Sequence, residues 1–134
     1  MSVKVEKTEN KNEVKLEITV EAAKFEDAMI EEIVALVRKY DAVKHVYFMT
    51  ANDECIKDIK KIAPDIKCCL GWSGKETGAE HVDRAIACGA DKIQFFKPHY
   101  DQESIDRAHA NGIICNIFNI GLQIHIGLND RNTI

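Results

Sequence analysis

Two cationic side chains, Lys97 and His99, follow the apolar run KIQFF and could together attract a phosphate. Lysine would supply a point charge and histidine a hydrogen-bond donor near neutral pH. In the competing reading Lys97 is solvated and His99 bonds its own turn before Tyr100. The stretch GWSGKETG, Gly71 to Gly78, invites comparison with a phosphate-cradling loop, but the spacing G-x₄-G-K-[ST] is not met. Two residues separate Gly71 from Gly74, and Glu76 follows Lys75, where its charge would repel phosphate. The adjacent carboxylates Glu26-Asp27 and Asp53-Glu54 are expected on solvated helix faces with no histidine nearby. A hard divalent ion needs several convergent oxygens, so neither pair reads as a metal site. His45, His81, His109 and His125 lack metal-ligand spacing and are expected at the surface or with satisfied rings. Trp72 ends an apolar strand and reads as a core or rim anchor.

The five cysteines, Cys55, Cys68, Cys69, Cys88 and Cys115, are odd in number and contain no C-x-x-C pair. Neither a disulfide framework nor a zinc ribbon is favoured, and buried, reduced thiols are expected. Cys68 and Cys69 are neighbours in a strand, where side chains alternate between faces, so they cannot chelate one ion as a simple pair.

The elements that must position these groups are legible from period. Val3 and Val5 alternate with Lys4 and Glu6, the pattern breaks at TENKN, and it resumes through Val14, Leu16, Ile18 and Val20. That predicts a β-hairpin with one apolar face. From Glu21 the spacing changes to three and four, through Phe25, Met29, Ile33, Leu36, Val37 and Tyr40, which predicts one amphipathic helix of about five turns. A beat of strand, turn and helix follows. Strands are predicted at 46–49, 66–72, 92–96 and 113–118. Helices fit between them, from Asn52 to Ala63 before Pro64, from Ala79 to Cys88 before Gly89, and from Gln102 to Ala110 before Asn111-Gly112. Such alternation with near-continuous apolar strands implies an α/β fold, a parallel sheet of about four strands with crossover helices. The tail GLQIHIGLNDRNTI alternates Leu122, Ile124, Ile126 and Leu128 with polar residues and predicts one extra strand.

Composition bounds the function. The 134 residues are 46% hydrophobic and 30% charged, enough for one domain and too few for a complete (β/α)₈ barrel of ~250 residues. The formal charge of −4 gives no broad field for nucleic acid or an anionic membrane. No apolar run approaches a membrane span and the first residues lack a secretory signal's apolar centre, so a cytoplasmic location is expected.

From about Ile33 to Phe118 the chain reads ALVRKYDAVKHVYFMT, IKKIAPDIKCCLGW and AIACGADKIQFFKPHYDQESIDRAHANGIICNIF, most distinctively ADKIQFFKPHY and the following ID, AHA and NG. This stretch resembles the C-terminal half of a glycerophosphodiester phosphodiesterase, a TIM-barrel hydrolase family. The first ~29 residues, MSVKVEKTENKNEVKLEITVEAAKFEDAM, look like the opening hairpin and helix of trigger factor, a ribosome-associated chaperone, without the G-F-R-x-G-K docking loop of that family. Together they imply a chimera, made by recombination or by design, in one domain without evolved catalysis: residues 1–29 trigger-factor-like, 30–118 a half TIM barrel, and 119–134 an unrelated tail.

The phosphodiesterase resemblance implies a metal-dependent site built from a His-Arg, a Glu-x-Asp and a second histidine, all in the barrel half that this stretch does not match. No catalytic or metal-binding residue is therefore assigned, and no cofactor is expected. Ca²⁺ or Mg²⁺ enters only if association between copies rebuilds a site. The substrate-side remnants of the barrel mouth are Thr50, Trp72, Lys97, His99 and Asn119, at the C-terminal ends of four strands. A V-W-T-V-N pattern of many relatives aligns on IICNIFN with Asn116 in the tryptophan position and Asn119 keeping the final asparagine. Half a barrel leaves open edges and an inner apolar surface, so a homo-oligomer is expected, with nucleic-acid, membrane and ribosome partners disfavoured.

Overall fold

The computed structural model describes residues 2–10, 13–21 and 26–118. They form one six-stranded sheet in which spatial order follows chain order. The hairpin pairs β1 (Ser2–Asn10) antiparallel with β2 (Glu13–Glu21), and every further pairing is parallel. Strand β2 lies beside β3 (Val46–Thr50), with α1 (Asp27–Lys39) connecting them. The beat then runs through α2 (Asp53–Ile62), β4 (Lys67–Gly71), α3 (Gly78–Cys88), β5 (Lys92–Phe96), α4 (Gln102–Ala110) and β6 (Ile114–Phe118). The four expected parallel strands are present, and β2 adds a fifth parallel neighbour. The extra strand expected in the tail lies outside the described residues.

Register explains the core. Phe48, Cys68, Leu70, Ile93, Phe95 and Cys115 occupy alternate positions aligned across the sheet and are buried together with Ile30, Val34, Ile56, Ile59, Val82, Ala85 and Ala108 of the helices. Burial of each large aliphatic side chain stabilises this layer by ~1.5–3 kcal/mol. The opposite face, expected to be an apolar surface in half a barrel, mixes apolar and polar positions. Its aligned positions are Tyr47 and Met49, then Cys69, then Lys92 and Gln94, then Ile114 and Asn116. Lys92 Nζ lies 4.1 Å from the centre of the Tyr47 ring, so a cation sits over an aromatic face there.

Helix α1 departs from the sequence pattern. It begins at Asp27, not Glu21, because β2 still pairs Glu21 with Met49 and Glu26 remains extended at φ −88°, ψ 148°. Its buried face is Ile30, Val34 and Val37, with Met29 and Ile33 packed at the margin. Leu36 and Tyr40 are instead 55% and 70% exposed. Phe25 lies outside the described residues. The remaining helix ends follow local chemistry. The Asn52 side chain accepts the Glu54 and Cys55 amides at 3.0 and 3.3 Å, and Asp101 accepts the Ser104 amide at 2.8 Å. Thr77 and Glu80 form a reciprocal capping box, and Gly89 closes α3 at φ +77°, a left-handed backbone that glycine adopts without strain.

All five cysteines are buried, and none is in a disulfide. Burial pushes the Cys68 thiol up to about 12 and the Cys115 thiol to about 11, so both stay protonated and poorly nucleophilic near neutral pH.

Candidate functional site

The carboxyl ends of β3, β4 and β5 converge on one rim, and that rim is held by a single guanidinium. Arg84 on α3 reaches back to the loop after β3. Its Nε donates to Asp53 Oδ1 and Oδ2 at 3.1 and 3.2 Å, and its Nη2 donates to the Ala51 carbonyl at 2.7 Å and to Asp53 Oδ1. Its Nη1 donates to Glu76 Oε1 at 2.8 Å. Asp53 is thus no wet-face carboxylate. It is half-buried and paired, since the planar fork of arginine can satisfy two acceptors at once.

Glu76 turns the glycine-containing loop into a cradle for its own charge. The carboxylate accepts the Ser73 amide at 2.7 Å, the Ser73 hydroxyl and the Lys75 amide at 3.4 Å. Burial works to raise its pKa, but the bonds from Ser73 prevail and hold it at about 2. The acidic residue that made this stretch a poor phosphate loop therefore fills the loop internally.

His81, one turn before Arg84 on α3, is only 1% exposed. The neutral ring donates Nε2–H to the Leu70 carbonyl at 3.2 Å, and its edge meets Phe95 with ring centres 5.6 Å apart. Nδ1 then carries a lone pair that no protein group satisfies. It lies 3.9 Å from Glu76 Oε1. Burial pushes the imidazole below its ordinary pKa, against the opposing pull of Glu76, so the ring is neutral near pH 7. His81 was expected at the surface or with a satisfied ring. It is buried with one ring nitrogen unmatched.

Beside this cluster lie three aromatic rings. Trp72 stacks on Phe96 and His99 with ring centres 4.6 and 5.0 Å away, and its Nε1 donates to the Glu76 carbonyl at 3.1 Å. Gly78 makes this possible. A Cβ there would come within 2.6 Å of the His99 carbonyl and 2.9 Å of Ser104 Oγ, so the loops after β4 and β5 touch only because residue 78 has no side chain.

Of the residues expected at the barrel mouth, the fold brings Trp72 and His99 together. Thr50 is buried at a helix-facing register position, and its Oγ1 accepts the Asn52 amide at 3.2 Å. Lys97 opens a 3₁₀ turn, Lys97–His99, beside them. Asn119 lies outside the described residues. Asp53, Ser73, Glu76, His81 and Arg84 were not assigned to a site from sequence. Two cues were available, the Thr77-x-x-Glu80 capping signature fixing the start of α3 and the His81/Arg84 spacing along it. Among the described residues, no three His, Cys, Asp or Glu side chains converge as a metal site.

No family model and no curated protein matches the sequence. Solved structures do match. A candidate glycerophosphodiester phosphodiesterase from Galdieria sulphuraria aligns over 81% of this chain and 45% of its own, with a TM-score of 0.69 and 19% identity. The glycerophosphodiester phosphodiesterase from Agrobacterium tumefaciens aligns over 78% of this chain and 43% of its own, at 0.60 and 16%. That from Parabacteroides distasonis aligns over 78% and 44%, at 0.58 and 11%. The chain has a partial TIM-barrel-like fold. It spans less than half the length of these neighbours, and the likeness at such identities is one of fold. Among the described residues, no helix is long and apolar enough to cross a membrane.

Proposed function

We propose that this chain is a chimeric half barrel without evolved catalysis, its segment from about residue 30 to 118 derived from a glycerophosphodiester phosphodiesterase. In this reading residues 1–29 come from a trigger-factor-like opening and 119–134 are an unrelated tail, all within one domain. One observation carries it. Three charged groups at the strand ends, where a barrel enzyme binds substrate, are spent on one another and their loop: Asp53 and Glu76 on Arg84, and Glu76 again on Ser73. A carboxylate so committed is a poor ligand for an incoming metal, because binding must first break charge-assisted hydrogen bonds. The hairpin supports the chimera, since β2 joins the parallel sheet at β3 while its other side carries the antiparallel β1. The chain associates with copies of itself to cover its open sheet face, and Trp72 with His99 at the rim is a remnant of a substrate side.

The test is hydrolysis of glycerophosphocholine by the purified chain with Ca²⁺ or Mg²⁺, against an EDTA control. Turnover at the EDTA level is expected. Metal-dependent turnover that co-purifies with the chain would overturn the proposal and favour a site rebuilt across subunits. Light scattering checks the association: a mass that grows with concentration is expected, and a constant monomer mass contradicts it.

A further inference from the structure

The unmatched nitrogen of His81 sits in a place where filling it has consequences. Within the strand-end rim, Nδ1 faces Glu76 Oε1 at 3.9 Å, the same oxygen that accepts the Ser73 amide and Arg84 Nη1. The neutral ring sets a lone pair toward a carboxylate, an arrangement that neither partner stabilises. A proton at Nδ1 would reverse the sign of that contact, making a donor facing an anion inside a buried site.

We propose that His81 is an acid-sensitive latch on the loop after β4: a proton taken from solvent at Nδ1 draws the Glu76 carboxylate away from Ser73 and Arg84 and releases Trp72 from the rim. The geometry makes the coupling direct. Glu76 holds the loop through Ser73 and Lys75, and its own carbonyl holds the indole of Trp72. A shift of Glu76 toward His81 therefore moves the loop and the tryptophan together, loosening its stack on Phe96 and His99.

The groups around the ring pull in opposite directions, and burial decides which state wins at neutral pH. From β4 the Leu70 carbonyl accepts Nε2–H and, with the Gly71 backbone, favours the protonated ring. From β5 the Phe95 edge offers no charge. From the loop Glu76 favours the protonated ring, and from α3 Arg84 opposes it. Asp53, from the start of α2, neutralises part of Arg84. Burial outweighs the pull of Glu76, so the latch is closed near pH 7 and opens on acidification below the ordinary histidine range.

Trp72 is the only tryptophan, so its emission reports the latch. His99 lies on the same indole, and a change in its charge would also alter emission, so the experiment uses His99→Gln as background. The full chain carrying His99→Gln is titrated from pH 8 downward to the onset of acid unfolding and compared with the chain carrying His99→Gln and His81→Gln. A reversible red shift of emission and faster acrylamide quenching are expected in the first, with unchanged far-ultraviolet circular dichroism, and their loss in the second. The proposal falls if the two titrate alike, if the first is flat, or if the shift tracks loss of secondary structure. Should the double variant not fold, ¹⁵N ring shifts of His81 in the unsubstituted chain decide the matter. Nε2–H at pH 8, with Nδ1 gaining a proton in step with the Trp72 change, supports the latch. A protonated Nδ1 at pH 8, or a proton gained without that change, refutes it.

Discussion

The two ends of the sheet are both tied by charged side chains, and they are tied differently. At the amino end, Lys60 of α2 pairs with Asp91 at 2.5 Å and donates to the Ile66 carbonyl at 3.1 Å, while Asp91 Oδ2 accepts the Cys68 amide at 2.8 Å. The backbone closes the same junction, from the Asp91 amide to the Cys68 carbonyl at 2.9 Å and from the Ile114 amide to the Asp91 carbonyl at 3.0 Å. Each of these groups meets a partner of opposite character. At the carboxyl end Arg84, Asp53 and Glu76 are equally tied, but His81 Nδ1 is left over. The amino end therefore has one arrangement, whereas a single proton gives the carboxyl end a second.

The largest effect should come from removing the hub of the carboxyl-end cluster. Arg84→Met leaves Asp53 and Glu76 partly buried without their cation, and a loss of about 3 kcal/mol in urea unfolding is expected. A loss no greater than a surface substitution gives would show that the rim does not depend on Arg84.

Next in size is the acid dependence of Glu76. Its folded pKa of about 2 lies below the ordinary 4.5, so the folded state releases this proton more readily than the unfolded state. The stability it contributes is fully present above pH 4.5 and is lost as pH falls toward 2, amounting to about 3 kcal/mol. Glu76→Gln should lower stability at pH 6 and flatten the decline between pH 4.5 and 2. An unchanged decline would place the acid sensitivity elsewhere.

How much of this could be read in the sequence depends on distance along the chain. The strand and helix beat was legible because each element carries its own period, and the stops at Pro64, Gly89 and Gly112 are local. The start of α1 was not, because Phe25 and Met29 extend the helical spacing while pairing across the sheet holds Glu21 in a strand. Trp72 and His99 follow β4 and β5 in the chain, but their stacking needs Gly78 to let two loops touch. The Arg84 cluster joins residues 31 positions apart, and nothing local marks Asp53 as its partner. Glu76 was read for the phosphate it would repel, not for the amides it would take itself.

A smaller effect sharpens the same comparison. Gly78→Ala places a methyl group against the His99 carbonyl and should cost about 1–2 kcal/mol while changing Trp72 emission at every pH. The smallest belongs to Arg38, whose two-point pair with Asp65, at 2.8 and 2.9 Å, is exposed. Arg38→Ala should leave unfolding unchanged within the scatter of the measurement, as exposed pairs usually do.

The contrast between the ends is tested most directly by amide hydrogen exchange at pH 7.5 and at the lowest pH at which the chain stays folded, with protection corrected for intrinsic rates. The Ser73 and Lys75 amides, bonded to Glu76, should lose protection at the lower pH, while the Cys68 amide, bonded to Asp91, keeps it. Equal protection at both pH values, or loss at all three amides together, would contradict a carboxyl end that a proton at His81 can release.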